Sequence, residues 1–138
     1  METKILQVNP EQFGDEELQE ACQVLRNDGL VAFPTETVYG LGGDALNPES
    51  SRKIYAAKGR PSDNPLIVHI CRWEDIYKIA DPVPEIAQRL AARFWPGPLT
   101  MILNKPALVP KETTGGLDTV AVRFPSDSIA QRFICRCP

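Results

Sequence analysis

The apolar residues of this chain fall into short continuous runs, separated by stretches where they recur every three or four positions. Residues 4–8 read as a short edge strand. Over 15–27, Leu18, Ala21, Cys22 and Leu25 share one helical face, with Asp15 as the expected cap and Asn27-Asp28-Gly29 as the stop. The run 30–33 enters Pro34, as a buried strand ending in a loop does. A second helix is expected over 48–57, capped by Asn47, with Ile54 and Tyr55 turned inward. Residues 66–71 read as a buried strand in which Ile67 and His69 face one way and Val68 and Ile70 the other. Helices are expected over 73–80 and 84–94, strands over 99–103 and 119–124, and a last helix over 126–135. Strands alternating with helices predict a layered α/β domain, and no repeat or internal linker divides it.

The length of 138 residues suits one domain with its own core. Hydrophobic residues at 43% and charged residues at 24% match the average of soluble globular proteins. No apolar run approaches the roughly 20 residues of a membrane helix, and the N-terminus lacks a secretory h-region, so a cytoplasmic protein is expected. A net charge of −3 argues against a dedicated nucleic-acid binder, which would need a basic surface. Lys53, Lys58 and Arg60 nonetheless form a local positive run. Cys22, Cys71, Cys135 and Cys137 are expected to be reduced thiols, as the cytosol dictates. The Cys-x-Cys pair has no further ligands beside it, so no metal site is expected. Thirteen prolines, clustered as Pro61 with Pro65 and Pro96 with Pro98, make stiff loops on which functional groups can be held.

Three segments carry candidate chemistry. Residues 33–43, FPTETVYGLGG, follow a buried strand, where open α/β sheets bind ligands. Two threonines, a glutamate and a tyrosine there suit either a ligand or a hydrogen-bonded turn, and the spacing is neither a phosphate loop nor a dinucleotide fingerprint. Residues 58–66, KGRPSDNPL, place Lys58 and Arg60 two apart on a proline-stiffened loop, either a solvated charged loop or an anion site with Asn64 as a neutral partner. His69 is the only histidine, and its apolar neighbours fit a core residue as well as a catalyst. In the third segment Arg123 lies near the end of an apolar strand and must meet an anion there, from a structural ion pair or from a ligand's carboxylate. Trp95 reads as packing.

The stretches FPTETVYGLG (33–42), KGRPSDNPLIVHI (58–70), FWPGPLT (94–100) and GGLDTVAVRFP (115–125) together resemble the YrdC-like family, the threonylcarbamoyl-AMP synthases. The resemblance spans nearly the whole chain, in order. It implies a twisted open mixed sheet with flanking helices around a concave, positively charged cavity. It implies an enzyme, a nucleotidyltransferase that joins L-threonine, bicarbonate and ATP with Mg2+ into threonylcarbamoyl-AMP, releasing pyrophosphate. Thr37, His69 and Arg123 fall where the family contacts threonine. Arg60, Asn64 and Thr119 fall where it contacts ATP, and Lys58 with Arg60 form the family's Lys-x-Arg pair near the reacting groups. The implied downstream partner is a transferase that completes the threonylcarbamoyladenosine modification of tRNA, with weak RNA binding thinkable. The family continues into a Ser-x-Asn strand and a serine- and proline-rich loop beyond the equivalent of Pro138. The 1–138 chain is therefore expected to be one YrdC-like domain, incomplete at its C-terminus. The alternatives are a YrdC-like carbamoyl-transfer module of hydrogenase maturation and a non-catalytic double-stranded RNA-binding module.

Overall fold

In the computed structural model, which describes residues 2–136, two apolar clusters flank a concave sheet face. Helix α1 (Asp15–Arg26) starts one residue earlier in capping terms than expected. Gly14 is the cap, its N–H donating to the Glu17 carboxylate at 2.8 Å, while Asp15, Glu16 and Glu17 sit at the positive end of the helix dipole. Strand β1 (Val31–Phe33) pairs antiparallel with β2 (Gly40–Gly42). The second of these was not expected, because Gly-Leu-Gly carries almost no strand-forming side chain. Helix α2 (Pro48–Lys58) has the expected Asn47 cap, whose side chain accepts from the Glu49 N–H at 3.0 Å.

Strands β3 (Ile67–His69), β4 (Thr100–Asn104) and β5 (Thr119–Arg123) form a mixed sheet with β5 in the centre, parallel to β3 and antiparallel to β4. Register places His69 and Thr100 on either side of Arg123. On one face of β5, Val120 and Val122 are fully buried with Val68, Ile70 and Met101 beneath α3 (Ile76–Ile79) and α4 (Glu85–Phe94). The 73–80 helix is in fact a 3-10 turn running into that short α3. Alternation then puts Thr119, Ala121 and Arg123 on the opposite face, beside Ile67 and His69, as the strand pattern required.

The second cluster joins α1 to α5 (Ser128–Arg136) through Leu18, Ala21, Cys22, Phe33, Ala130 and Phe133. Two expectations fail. Residues 4–8 form no strand; Ile5 is 81% exposed, and apolar alternation without a neighbouring edge to pair with is not enough to make one. The cysteines are not reduced: Cys71, just past β3, is disulfide-bonded to Cys135 on α5 with a Cα–Cα distance of 5.5 Å, and no cysteine among the described residues is free. Cys137 lies outside the described residues. No helix of the described residues is long and apolar enough to cross a membrane.

Candidate active-site cleft

The concave sheet face opens into a cleft of about 720 Å³, a size suited to a small-molecule ligand. Its walls include the 34–39 loop with β2, the loop that follows α2, and the ends of β3 and β5 backed by α5.

The loop after α2 is fixed by backbone geometry. Gly59 adopts the left-handed conformation (φ 60°) and ends the helix, with the Arg60 N–H donating to the Tyr55 carbonyl at 3.0 Å. That reversal sets Lys58 and Arg60 together on the cleft wall. Arg60 Nη2 donates to the Pro65 carbonyl at 3.0 Å, and the Tyr55 hydroxyl donates to the Asn64 carbonyl at 2.7 Å, so the loop is strapped to its own helix. Burial raises the Tyr55 phenol above its ordinary pKa, which keeps it a neutral donor. From the other side Gly115 (φ 65°) comes so close that an added Cβ would lie 2.8 Å from the Asp63 carbonyl oxygen. Beneath, Thr113 Oγ1 donates to the Ala45 carbonyl at 2.6 Å, which makes Ser51 the donor in its 2.8 Å bond to Thr113.

At the inner end, Arg123 forms an ion pair with Glu36 and reaches Thr37 Oγ1 at 3.3 Å. The second Glu36 oxygen, Oε2, accepts from the Ser126 N–H at 2.9 Å and from its hydroxyl at 3.3 Å. Both charged side chains are largely buried, at 12% and 19% exposure. The Arg123 Nε–H is buried without a hydrogen-bond partner. Burial lowers the pKa of this guanidinium, which stays charged at neutral pH because its ordinary value is so high.

His69 stands next to Arg123 across the β3–β5 register, its ring edge-on to Phe33 at 5.7 Å. Its Nδ1 lies 3.2 Å from the Ile67 carbonyl, which can only accept, so Nδ1 carries the proton and Nε2 presents a lone pair. Burial lowers its pKa, the bond to Ile67 only partly opposing this, and the ring is neutral at pH 7.

The cleft thus gathers Thr37, Lys58, Arg60, His69 and Arg123. Asn64 and Thr119 do not line it. The Asn64 side chain is exposed, while Thr119 sits at the far end of β5, roughly 13 Å from Arg123 at ordinary strand rise. Sequence reasoning left Glu36 and Ser126 without roles; the available signal was that a buried arginine needs an anion and that Glu36 stood on a loop at a strand end. It also missed the α5 wall of Phe133, Ile134 and Cys135, since nothing in the spacing tied α5 to β3. A second groove of about 590 Å³ shares Cys71, Arg72 and Cys135 with the cleft, is otherwise lined by Arg132 and Arg136 among others, and holds none of the expected residues. Among the described residues no group of three or more His, Cys, Asp or Glu could hold a metal ion.

A family model described as "Telomere recombination", covering the Sua5, YciO and YrdC proteins, matches residues 23–138. The threonylcarbamoyl-AMP synthase of Pyrococcus abyssi is 55% identical over 114 residues, 83% of this chain and 34% of that protein. The threonylcarbamoyl-AMP synthase of Bacillus subtilis is 50% identical over 121 residues, 87% of this chain and 35% of that protein. The crystal structure of P. abyssi Sua5 complexed with L-threonine superposes with a TM-score of 0.87 at 51% identity, over 89% of this chain and 36% of that one. The chain spans about a third of the length of these relatives. A match over most of the chain, relatives above half identity and a shared mixed α/β fold make this chain a member of the Sua5/YciO/YrdC family.

Proposed function

We propose that this chain carries amino-acid and nucleotide subsites of a threonylcarbamoyl-AMP synthase, an enzyme of tRNA threonylcarbamoyladenosine formation. The observation that carries the reading is the convergence of Lys58, Arg60 and Arg123 on one cleft with Thr37 and His69. The relatives named threonylcarbamoyl-AMP synthase and the L-threonine complex of the P. abyssi protein support it.

In this reading the neutral amine of L-threonine adds to the bicarbonate carbon, whose C–O bond breaks with loss of water to give a carbamate, and a carbamate oxygen then attacks the α-phosphate of ATP and expels pyrophosphate. No side chain forms a covalent bond; the protein positions the reactants and neutralises charge. Arg123 offers donors to the threonine carboxylate, including its unpartnered Nε–H. The His69 Nε2 lone pair and the Thr37 hydroxyl meet the substrate hydroxyl, which lets the site reject analogues lacking it. Lys58 and Arg60 are the cations for the phosphates, with Asn64 and Thr119 as further ATP contacts reached along the loop and along β5. With the phosphates held by Lys58 and Arg60, Mg2+ bound to ATP would supply further charge neutralisation and, keeping several waters, would need few protein ligands. The protein is read as one YrdC-like domain in this segment, working ahead of a tRNA-modifying threonylcarbamoyl transferase.

The test is pyrophosphate release from ATP by the protein. Release is expected only when L-threonine and bicarbonate are both present, and Arg60→Ala should abolish it through ATP affinity. Equal release with L-serine, or with no amino acid, rules the reading out.

A further inference from the structure

Glu36 and Arg123 make an unusual pair for this molecule. Every other ion pair among the described residues has a partner at least 45% exposed, whereas here the exposures are 12% and 19%. Two opposite charges side by side, Arg123 on the cleft wall and Glu36 bonded to it from the 34–39 loop, are the complement of a zwitterion, whose own charges are fixed at a short distance. The pair's neighbours divide the carboxylate's two oxygens. Oε2 is anchored by the Ser126 N–H and hydroxyl, while Oε1 faces Arg123. Arg123 in turn keeps a buried Nε–H with no partner. The 34–39 loop that carries Glu36 is closed by Thr35 Oγ1, which donates to the Val38 carbonyl at 2.6 Å, and is tied to the rest of the chain through Glu36 and Thr37, while its Val38 and Tyr39 are each 75% exposed.

We propose that Glu36 is a specificity residue that recognises the ammonium group of an α-amino acid, its Oε1 exchanging Arg123 for the ligand while Arg123 takes the ligand's carboxylate. The inference rests on the reading of this cleft as an amino-acid site. A zwitterion replaces one internal ion pair by two intermolecular ones. The buried charge stays balanced before and after, so no lone charge is left in the cleft. A carboxylic acid without an ammonium group would strand Glu36 instead. The site therefore selects amino acids over hydroxy acids of the same shape.

Isothermal titration of the chain with L-threonine, and with the hydroxy-acid analogue in which a hydroxyl replaces the ammonium, tests this. The wild-type chain should prefer L-threonine by on the order of tenfold or more, the scale of one charge-assisted hydrogen bond. Glu36→Gln should bring the two affinities together, and Glu36→Asp, which keeps the charge, should retain the preference. An unchanged ratio in a folded Glu36→Gln protein means the pair is only structural and overturns the proposal. Should that variant not fold, equal wild-type affinities, or loss of the preference in Glu36→Asp, overturn it as well. Binding of neither ligand to the wild type removes the amino-acid reading of the cleft, and the proposal with it.

Discussion

At Arg123 the sequence left two partners open, a structural carboxylate and a ligand's. The structure supplies the first through Glu36 and still leaves a buried donor unused. His69, beside it, is the residue whose protonation can be followed directly, since it is the chain's only histidine. Its pKa lies below the ordinary 6.5, chiefly because burial penalises the charged ring. Below pH 6.5 the unfolded chain takes up a proton that the folded chain resists. Stability is therefore fully kept above that value and falls as the pH drops through it. An NMR titration of the imidazole should give a midpoint below 6.5; a midpoint at or above it contradicts the buried, Nδ1-protonated ring.

At the scale of elements, the loop of 58–66 is held by two glycines that face different constraints. Gly59 needs only its left-handed conformation, with open space where a Cβ would go. Gly115 combines positive φ with backbone contact to Asp63. Gly59→Ala should cost about 1 kcal/mol, the conformational term alone, and Gly115→Ala about 2 kcal/mol or more, because the 63–65 backbone must also move. Urea unfolding of the two variants checks the order; equal or reversed costs would mean the loop does not lean on Gly115. Such elements show what was legible from sequence. Helices α1, α2 and α4 were, because apolar spacing acts locally, as does the Asn47 cap of α2, and so were the buried strands. The pairing of β2 with β1 was not, since glycines carry no pattern. The 4–8 strand was wrongly expected, since alternation cannot report whether a partner edge exists. Within the cleft, residue type and strand position left Lys58, Arg60, His69 and Arg123 each with a structural alternative, and the family resemblance is what singled them out. The Glu36–Arg123 contact joins residues 87 apart, and only the fold brings them together.

Across the whole molecule, the cleft lies where the two apolar clusters meet the bare face of the sheet, and α5 closes one side. The Cys71–Cys135 link spans 64 residues of sequence, tethers α5 beside the end of β3, and on loop-entropy grounds destabilises the unfolded chain by about 4 kcal/mol. Phe133 of α5 packs on Phe33, whose ring in turn meets His69, each at 5.7 Å between centroids, so that wall is continuous with the site. The residue contacts, the strapped loop and this wall amount to one claim, that a single hollow takes the carboxylate of an amino acid at one end and phosphates at the other. Amide NMR of the chain, titrated separately with L-threonine and with ATP, tests it most directly. The expected result is that L-threonine shifts the signals of Thr37, His69 and Arg123, while ATP shifts those of Lys58, Arg60 and Asn64. Shifts at none of these, or shifts centred on Arg132 and Arg136 in the second groove, would contradict it.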